Sequence, residues 1–119
     1  MTERVIIKEV AARDGLQAQP KHLTVEQRIA LLGALAETGV PELEIGSFVS
    51  PKAVPQMAGT DEIAANLPPA QLAYSALVPN MKGYDAAVKA GAREVAVEMY
   101  WLAMQPWQMS ARFAGGSKL

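Results

Sequence analysis

Short runs of β-forming residues alternate with amphipathic helical stretches along this chain, and that order predicts an α/β fold on a parallel sheet. A second observation concerns polar residues. Arg13, Asp14, Ser47 and Asn80 each fall just past the C-terminal end of a predicted strand, where open α/β sheets and barrels both gather functional groups. The loops at those ends are also richer than the short returns from helix to strand, which is a habit of the (β/α)8 barrel. An open doubly wound sheet remains the other arrangement consistent with the same order.

The first strand is Val5-Ile6-Ile7-Lys8-Glu9-Val10, rich in β-branched residues and expected to be mostly buried. It runs into Ala11-Ala12-Arg13-Asp14-Gly15-Leu16, a polar turn. Thr24 and Gln27 then form a capping box, in which hydroxyl and amide each satisfy an orphan backbone N–H. Val25, Ile29, Leu32 and Ala36 share one face of the helix that follows, widened by Leu31 and Leu35. Gly39 ends it, because glycine accepts the left-handed conformation a helix terminus often needs.

Glu42-Leu43-Glu44-Ile45 makes the second strand, ending at Gly46-Ser47. A long loop with Pro51 and Pro55 follows, since proline suits neither helix interior nor ladder. Thr60 to Asn66 predicts a short helix closed by Pro68-Pro69. Gln71 to Val78 predicts a third strand, Tyr84 to Ala90 a third helix stopped by Gly91, and Arg93 to Val97 the start of a fourth strand. From about Glu98 the pattern breaks. Met99 to Met109 holds both tryptophans and a central proline, with no clean period and almost no charge, so residues 98–119 are expected to form a divergent, irregular tail.

Composition narrows the function. With 11 basic against 12 acidic residues and a net charge of −1, nothing draws the chain to nucleic acid or an anionic membrane. The absence of cysteine excludes disulfides and thiolate zinc sites. The apolar run at the N-terminus is too short for a signal peptide, and no stretch approaches the roughly 20 residues of a membrane span. A soluble, cytoplasmic protein is expected. The terminal Ser117-Lys118-Leu119 matches a peroxisomal import address, although three residues also match by chance.

Two constellations carry chemistry. In Arg13-Asp14-Gly15-Leu16-Gln17 a carboxylate stands beside an arginine at a strand end, which suits a hard divalent cation and an anionic intermediate. The same letters also occur in ordinary solvated turns. Glu44 lies between Leu43 and Ile45; if it points inward it must be paired, because burying a lone carboxylate is prohibitive. Arg13 is the natural partner. The alternative is a Glu44 that reaches solvent between sheet and helices.

These residues support a resemblance. Lys8-Glu9-Val10-Ala11-Ala12-Arg13-Asp14-Gly15-Leu16-Gln17 resembles the first-strand signature of the hydroxymethylglutaryl-CoA lyases, a family of metal-dependent (β/α)8 enzymes. Ser47-Phe48-Val49-Ser50-Pro51-Lys52-Ala53-Val54-Pro55-Gln56-Met57 resembles the loop after that family's second strand. Leu77-Val78-Pro79-Asn80-Met81-Lys82-Gly83-Tyr84 resembles the segment after its third. The likeness covers residues 4 to 97.

The resemblance implies a partial (β/α)8 barrel of about the first four strands and three helices, with residues 1–97 forming the N-terminal part of the lyase domain. It implies an acyl-CoA thioester substrate and a divalent cation, Mg²⁺ or Mn²⁺, bound through Asp14. Arg13 would be catalytic and substrate-binding, neutralising a thioester enolate. Glu44 would hold the catalytic geometry. Gln17 and Ser47 would bind substrate, and Asn80 would have a minor substrate or structural role.

The chain departs from the family in lacking the later His-x-His pair, the asparagine and the cysteine loop. Its one histidine, His22, falls in a turn and reads as a surface residue. A barrel takes roughly 250 residues, so a truncated lyase without activity of its own is expected. A Claisen-type synthase fragment and a non-catalytic, self-associating half-barrel are the alternatives, and the Ser47–Lys52 loop argues against the synthase.

Overall fold

The computed structural model describes residues 3–100 and 108–114, with side-chain surroundings for residues 3–97. Both tryptophans and the terminal Ser117-Lys118-Leu119 lie outside the described residues. The elements are β1 (Lys8–Glu9), α1 (Val25–Ala36), β2 (Glu42–Ser47), α2 (Thr60–Ala65), β3 (Ala73–Val78), α3 (Met81–Lys89), β4 (Glu94–Tyr100) and β5 (Gln108–Ala114). The sheet runs in the order β1-β2-β3-β4-β5. The first four strands are parallel, and β5 lies antiparallel to β4. Among the described residues no helix is long and apolar enough to cross a membrane.

The helices form where local chemistry favours them. Thr24 caps α1 with the full box: its Oγ1 accepts from the Gln27 N–H at 3.1 Å, and its own N–H donates to Gln27 Oε1 at 2.9 Å. Beyond the helix, Gly39 turns the chain with φ of 81°, a left-handed conformation that costs glycine little. In α3, Asn80 rather than Tyr84 marks the start. Its Oδ1 accepts from the Gly83 N–H at 2.8 Å, so the helix begins at Met81 and Asn80 has a structural role as its cap.

The sheet has two unlike faces. Leu43, Ile45 and Ala76 pack with Leu32 of α1 and Ile63 of α2, while Val78 and Val95 pack with Ala87 of α3. Removing a side chain such as Leu32 from water contributes about 2 kcal/mol, and these clusters weld helices to sheet. The opposite face carries a polar row among apolar partners: Lys8 lies beside Glu42, and Glu44 beside Ser75, which lies beside Glu94.

The first strand differs from expectation. Only Lys8 and Glu9 pair, and Val5, Ile6 and Ile7 are 87%, 63% and 65% exposed instead of mostly buried. The reason is position. β1 is the edge of the sheet, and a β-branched run is buried only where a neighbouring layer exists to cover it.

Tyr74 reaches off the helix face to donate its hydroxyl to the Pro68 carbonyl at 2.6 Å, and burial pushes its phenol above the ordinary value. Because the folded state disfavours the phenolate, this stability is fully present below the unfolded tyrosine pKa of about 10 and fades as pH rises through the higher folded value. Raising the pH from about 8 to about 11 should therefore lower the urea midpoint more in the wild type than in Tyr74→Phe. Equal losses would show that Tyr74 does not titrate with folding.

Candidate active site at the strand ends

The chain leaves β1 through a single turn of π-helix, Ala11–Gly15, in which the Asp14 N–H donates to the Val10 carbonyl at 2.7 Å. That tight turn throws Arg13 back over the sheet. Its Nε donates to Glu44 Oε1, and its Nη1 lies 3.3 Å from Asp14 Oδ1. On the other side of the same carboxylate, Lys8 Nζ stands 3.5 Å from Glu44 Oε2. Glu44 is only 3% exposed, so two cations offset its desolvation where one residue alone would be prohibitive.

Ser47 reaches this face through an irregularity. Glu44 is in register with Ser75 and Ser47 with Leu77, so β2 spends three residues where β3 spends two. Side chains in a strand alternate between faces. Without the extra residue Ser47 would therefore turn towards the helices; with it, Ser47 shares the face of Glu44. The ladder resumes at once, the Phe48 N–H donating to the Leu77 carbonyl at 2.9 Å. Ser47 is buried and lines a cavity of about 310 Å³ between the Phe48–Pro51 loop, the Met57–Asp61 turn and the start of α3. Gly83 closes one wall: a Cβ there would sit 2.6 Å from the Phe48 carbonyl oxygen.

The structure thus brings Arg13, Asp14 and Glu44 into one linked group and sets Ser47 on the same face. Asp14 is exposed, open to the mouth of the sheet. Gln17 is half-buried after the turn, and its neighbour Gln19 accepts from Gln56 Nε2 at 3.0 Å, tying that segment to the loop after β2. Asn80 and His22 are exposed. Among the described residues no three His, Asp or Glu side chains gather as metal ligands. Asp14 alone fits a hard cation as one oxygen donor, but Mg²⁺ and Mn²⁺ favour sixfold coordination, which this carboxylate by itself does not complete.

Sequence reasoning missed several members of this region. Lys8 escaped because its register against Glu42 depends on a neighbouring strand. Ser75 and Glu94 extend the row beside Glu44, and Ser75 Oγ and Glu94 Oε2 are buried with no hydrogen-bond partner among the described residues. Arg28 is 1% exposed on α1, and desolvation lowers the pKa of its guanidinium. A signal for Arg28 was present: it stands three residues after Val25 and four before Leu32, at the centre of the apolar stripe.

A parallel half-sheet with an arginine–carboxylate pair at its strand ends is the class of structure on view, and the chain belongs to the HMGL-like family, whose profile matches residues 4–110. It is 51% identical over 96 residues to the hydroxymethylglutaryl-CoA lyase of Pseudomonas mevalonii, covering 80% of this chain and 32% of that protein. The crystal structure of the HMG-CoA lyase from Brucella melitensis superimposes with a TM-score of 0.75 at 48% identity, over 81% of this chain and 34% of the other. An HMG-CoA lyase from Acinetobacter baumannii, in complex with coenzyme A and 3-methylmalate, gives 0.75 at 36% identity, over 82% and 33%. The chain therefore spans about a third of the length of the relatives it matches, and its α/β architecture is that of a partial (β/α)8 barrel.

Removing one member of a buried ion group leaves the others uncompensated. Glu44→Ala should lower the unfolding free energy by about 3 kcal/mol, and Glu44→Gln by less, because the amide oxygen still accepts from Arg13. Urea denaturation of the two variants checks the order; an unchanged Glu44→Ala midpoint would mean that the group contributes nothing to folding.

Proposed function

We propose that this chain is the N-terminal part of a hydroxymethylglutaryl-CoA lyase, which cleaves 3-hydroxy-3-methylglutaryl-CoA to acetoacetate and acetyl-CoA, and that the chain alone does not turn over. The single observation that carries the reading is the Arg13–Glu44 pair over the strand ends, with Ser47 turned to the same face. In this reaction the tertiary hydroxyl loses its proton and becomes a ketone as the adjacent carbon–carbon bond breaks. The electron pair passes to the thioester enolate, which takes up a proton to give acetyl-CoA.

The residues of this chain divide that work. Arg13 offsets the negative charge that develops on the thioester oxygen, and such preorganised donors are worth a few kcal/mol; its hold on Glu44 supports this role. Glu44 is a positioning residue that holds the Arg13 fork in place. Ser47 and Gln17 bind the acyl part of the substrate. Asp14 would contribute one ligand to a divalent cation, which supplies polarisation of the substrate oxygens when bound. The coenzyme A in the Acinetobacter structure supports an acyl-CoA as the substrate class.

The test is a chimera in which residues 4–97 replace the corresponding segment of the Pseudomonas mevalonii lyase. It should release acetoacetate in the presence of Mg²⁺ or Mn²⁺, and Arg13→Gln within it should lower kcat by about 10²–10³. A folded but silent chimera overturns the lyase reading. Metal-dependent acetoacetate release by the isolated chain overturns the claim that it is inactive alone.

A second reading has its own observation. The exposed Val5-Ile6-Ile7 row precedes an edge strand, and exposed apolar edges favour association. On this reading the chain persists as a non-catalytic half-barrel that pairs with a second copy. Light scattering should then show a dimer that Ile6→Lys converts to monomer, and a monomeric wild type removes the idea.

A further inference from the structure

We infer that Arg28 is a positioning residue for the substrate pocket, a latch that holds the β2 bulge at Gly46 against the Met57–Thr60 turn and so keeps Ser47 on the face of Glu44. Arg28 projects from the first turn of α1, yet it is as buried as Leu32 one turn on. Arginine is almost never fully buried without partners, so its contacts locate its task. Nη1 donates to the Ala58 carbonyl at 2.5 Å and Nη2 to Thr60 Oγ1 at 3.2 Å. The Thr60 hydroxyl in turn donates a hydrogen bond to the Met57 carbonyl at 2.7 Å. One guanidinium thus fastens both ends of the turn that forms a wall of the 310 Å³ cavity.

The third contact is with a missing atom. A Cβ on Gly46 would lie 2.8 Å from Thr60 Oγ1 and 2.9 Å from Arg28 Nη2, closer than real side chains approach. Gly46 is one of the two residues of β2, Ile45 and Gly46, that stand opposite the single Ala76 of β3. The strand can bulge towards the helices here because glycine leaves room for the guanidinium, and the guanidinium in turn occupies the room the bulge needs. Ser47 follows directly, and its orientation is inherited from that fit. Arg28 touches no substrate position itself. Its effect on substrate rests on the reading of Ser47 as part of the acyl pocket; its effect on the bulge does not.

Hydrogen exchange on the full chain separates a latch from a general stabiliser. The Phe48 amide, bonded to the Leu77 carbonyl just after the bulge, reports the local geometry, and the β3–β4 ladder reports the whole fold. In Arg28→Met the Phe48 amide should exchange at least about tenfold faster relative to that ladder. Uniform acceleration, or none, overturns the latch. Should Arg28→Met fail to fold, Thr60→Val removes only the hydroxyl and should give the same local pattern.

A mutant cycle adds an independent arm. Gly46→Ala should lower the thermal midpoint markedly with Arg28 and Thr60 present and much less in the Arg28→Ala/Thr60→Ala background, which removes both groups a Cβ would meet, and additive shifts would again overturn the proposal. Titration with 3-hydroxy-3-methylglutaryl-CoA then tests the consequence, with binding weakened several-fold in Thr60→Val. A wild-type chain that takes no thioester overturns the substrate reading, while the exchange and cycle results still decide the latch.

Discussion

A carboxylate with almost no access to water organises this half-barrel. Glu44 stands in the second strand with Arg13 on one of its oxygens and Lys8 on the other. The two cations come from opposite ends of the β1 region, one from the strand and one from the π-turn after it. Their shared anion therefore pins the only short strand of the parallel set to its neighbour, and it aims Arg13 across the mouth of the sheet. Backbone pairing of two residues would hold that edge weakly. The ion group supplies what the ladder cannot.

That arrangement depends in turn on the difference between the two faces of the sheet. Against the helices, β2 and β3 present Leu43, Ile45, Ala76 and Val78, all buried. On the other face the same strands present Glu42, Glu44, Ser47 and Ser75, also buried. A parallel strand covered on both sides usually reads as continuously apolar. Here the alternation of Glu with Leu and Ile marks a face that is enclosed but polar. The HMGL-like relationship gives that polar face its meaning, since the strand ends of a barrel are where its site is assembled.

Much of this was legible in the sequence. The capping box at Thr24, the stop at Gly39, and the order of strands and helices follow from contacts within a few residues, which a linear reading captures. The pairing of Arg13 with Glu44 was also within reach, because a carboxylate flanked by Leu43 and Ile45 requires a nearby cation once it points inward. Asn80 was harder. Its position after a strand suggested a site, but its Oδ1 is committed to the Gly83 N–H, and a capping asparagine looks the same as a binding one until the helix start is known.

By itself, then, the sequence determined the alternation of strands and helices up to the start of β4, the family motifs and the residues from which a site could be drawn, but it read as irregular the stretch that holds β5. Tertiary structure alone decided which of them meet. The exposure of Val5, Ile6 and Ile7 reflects the absence of a covering layer among the described residues, and β propensity cannot report that. The face taken by Ser47 depends on one extra residue between Glu44 and itself, counted against β3, and strand register is a property of two strands. Arg28 stands on the apolar stripe of α1 in the sequence, but the partners that bury it, Ala58 and Thr60, lie some 30 positions along the chain. Local periodicity is written in neighbouring residues, whereas register, burial and ion pairing are settled only when distant segments compete for the same space.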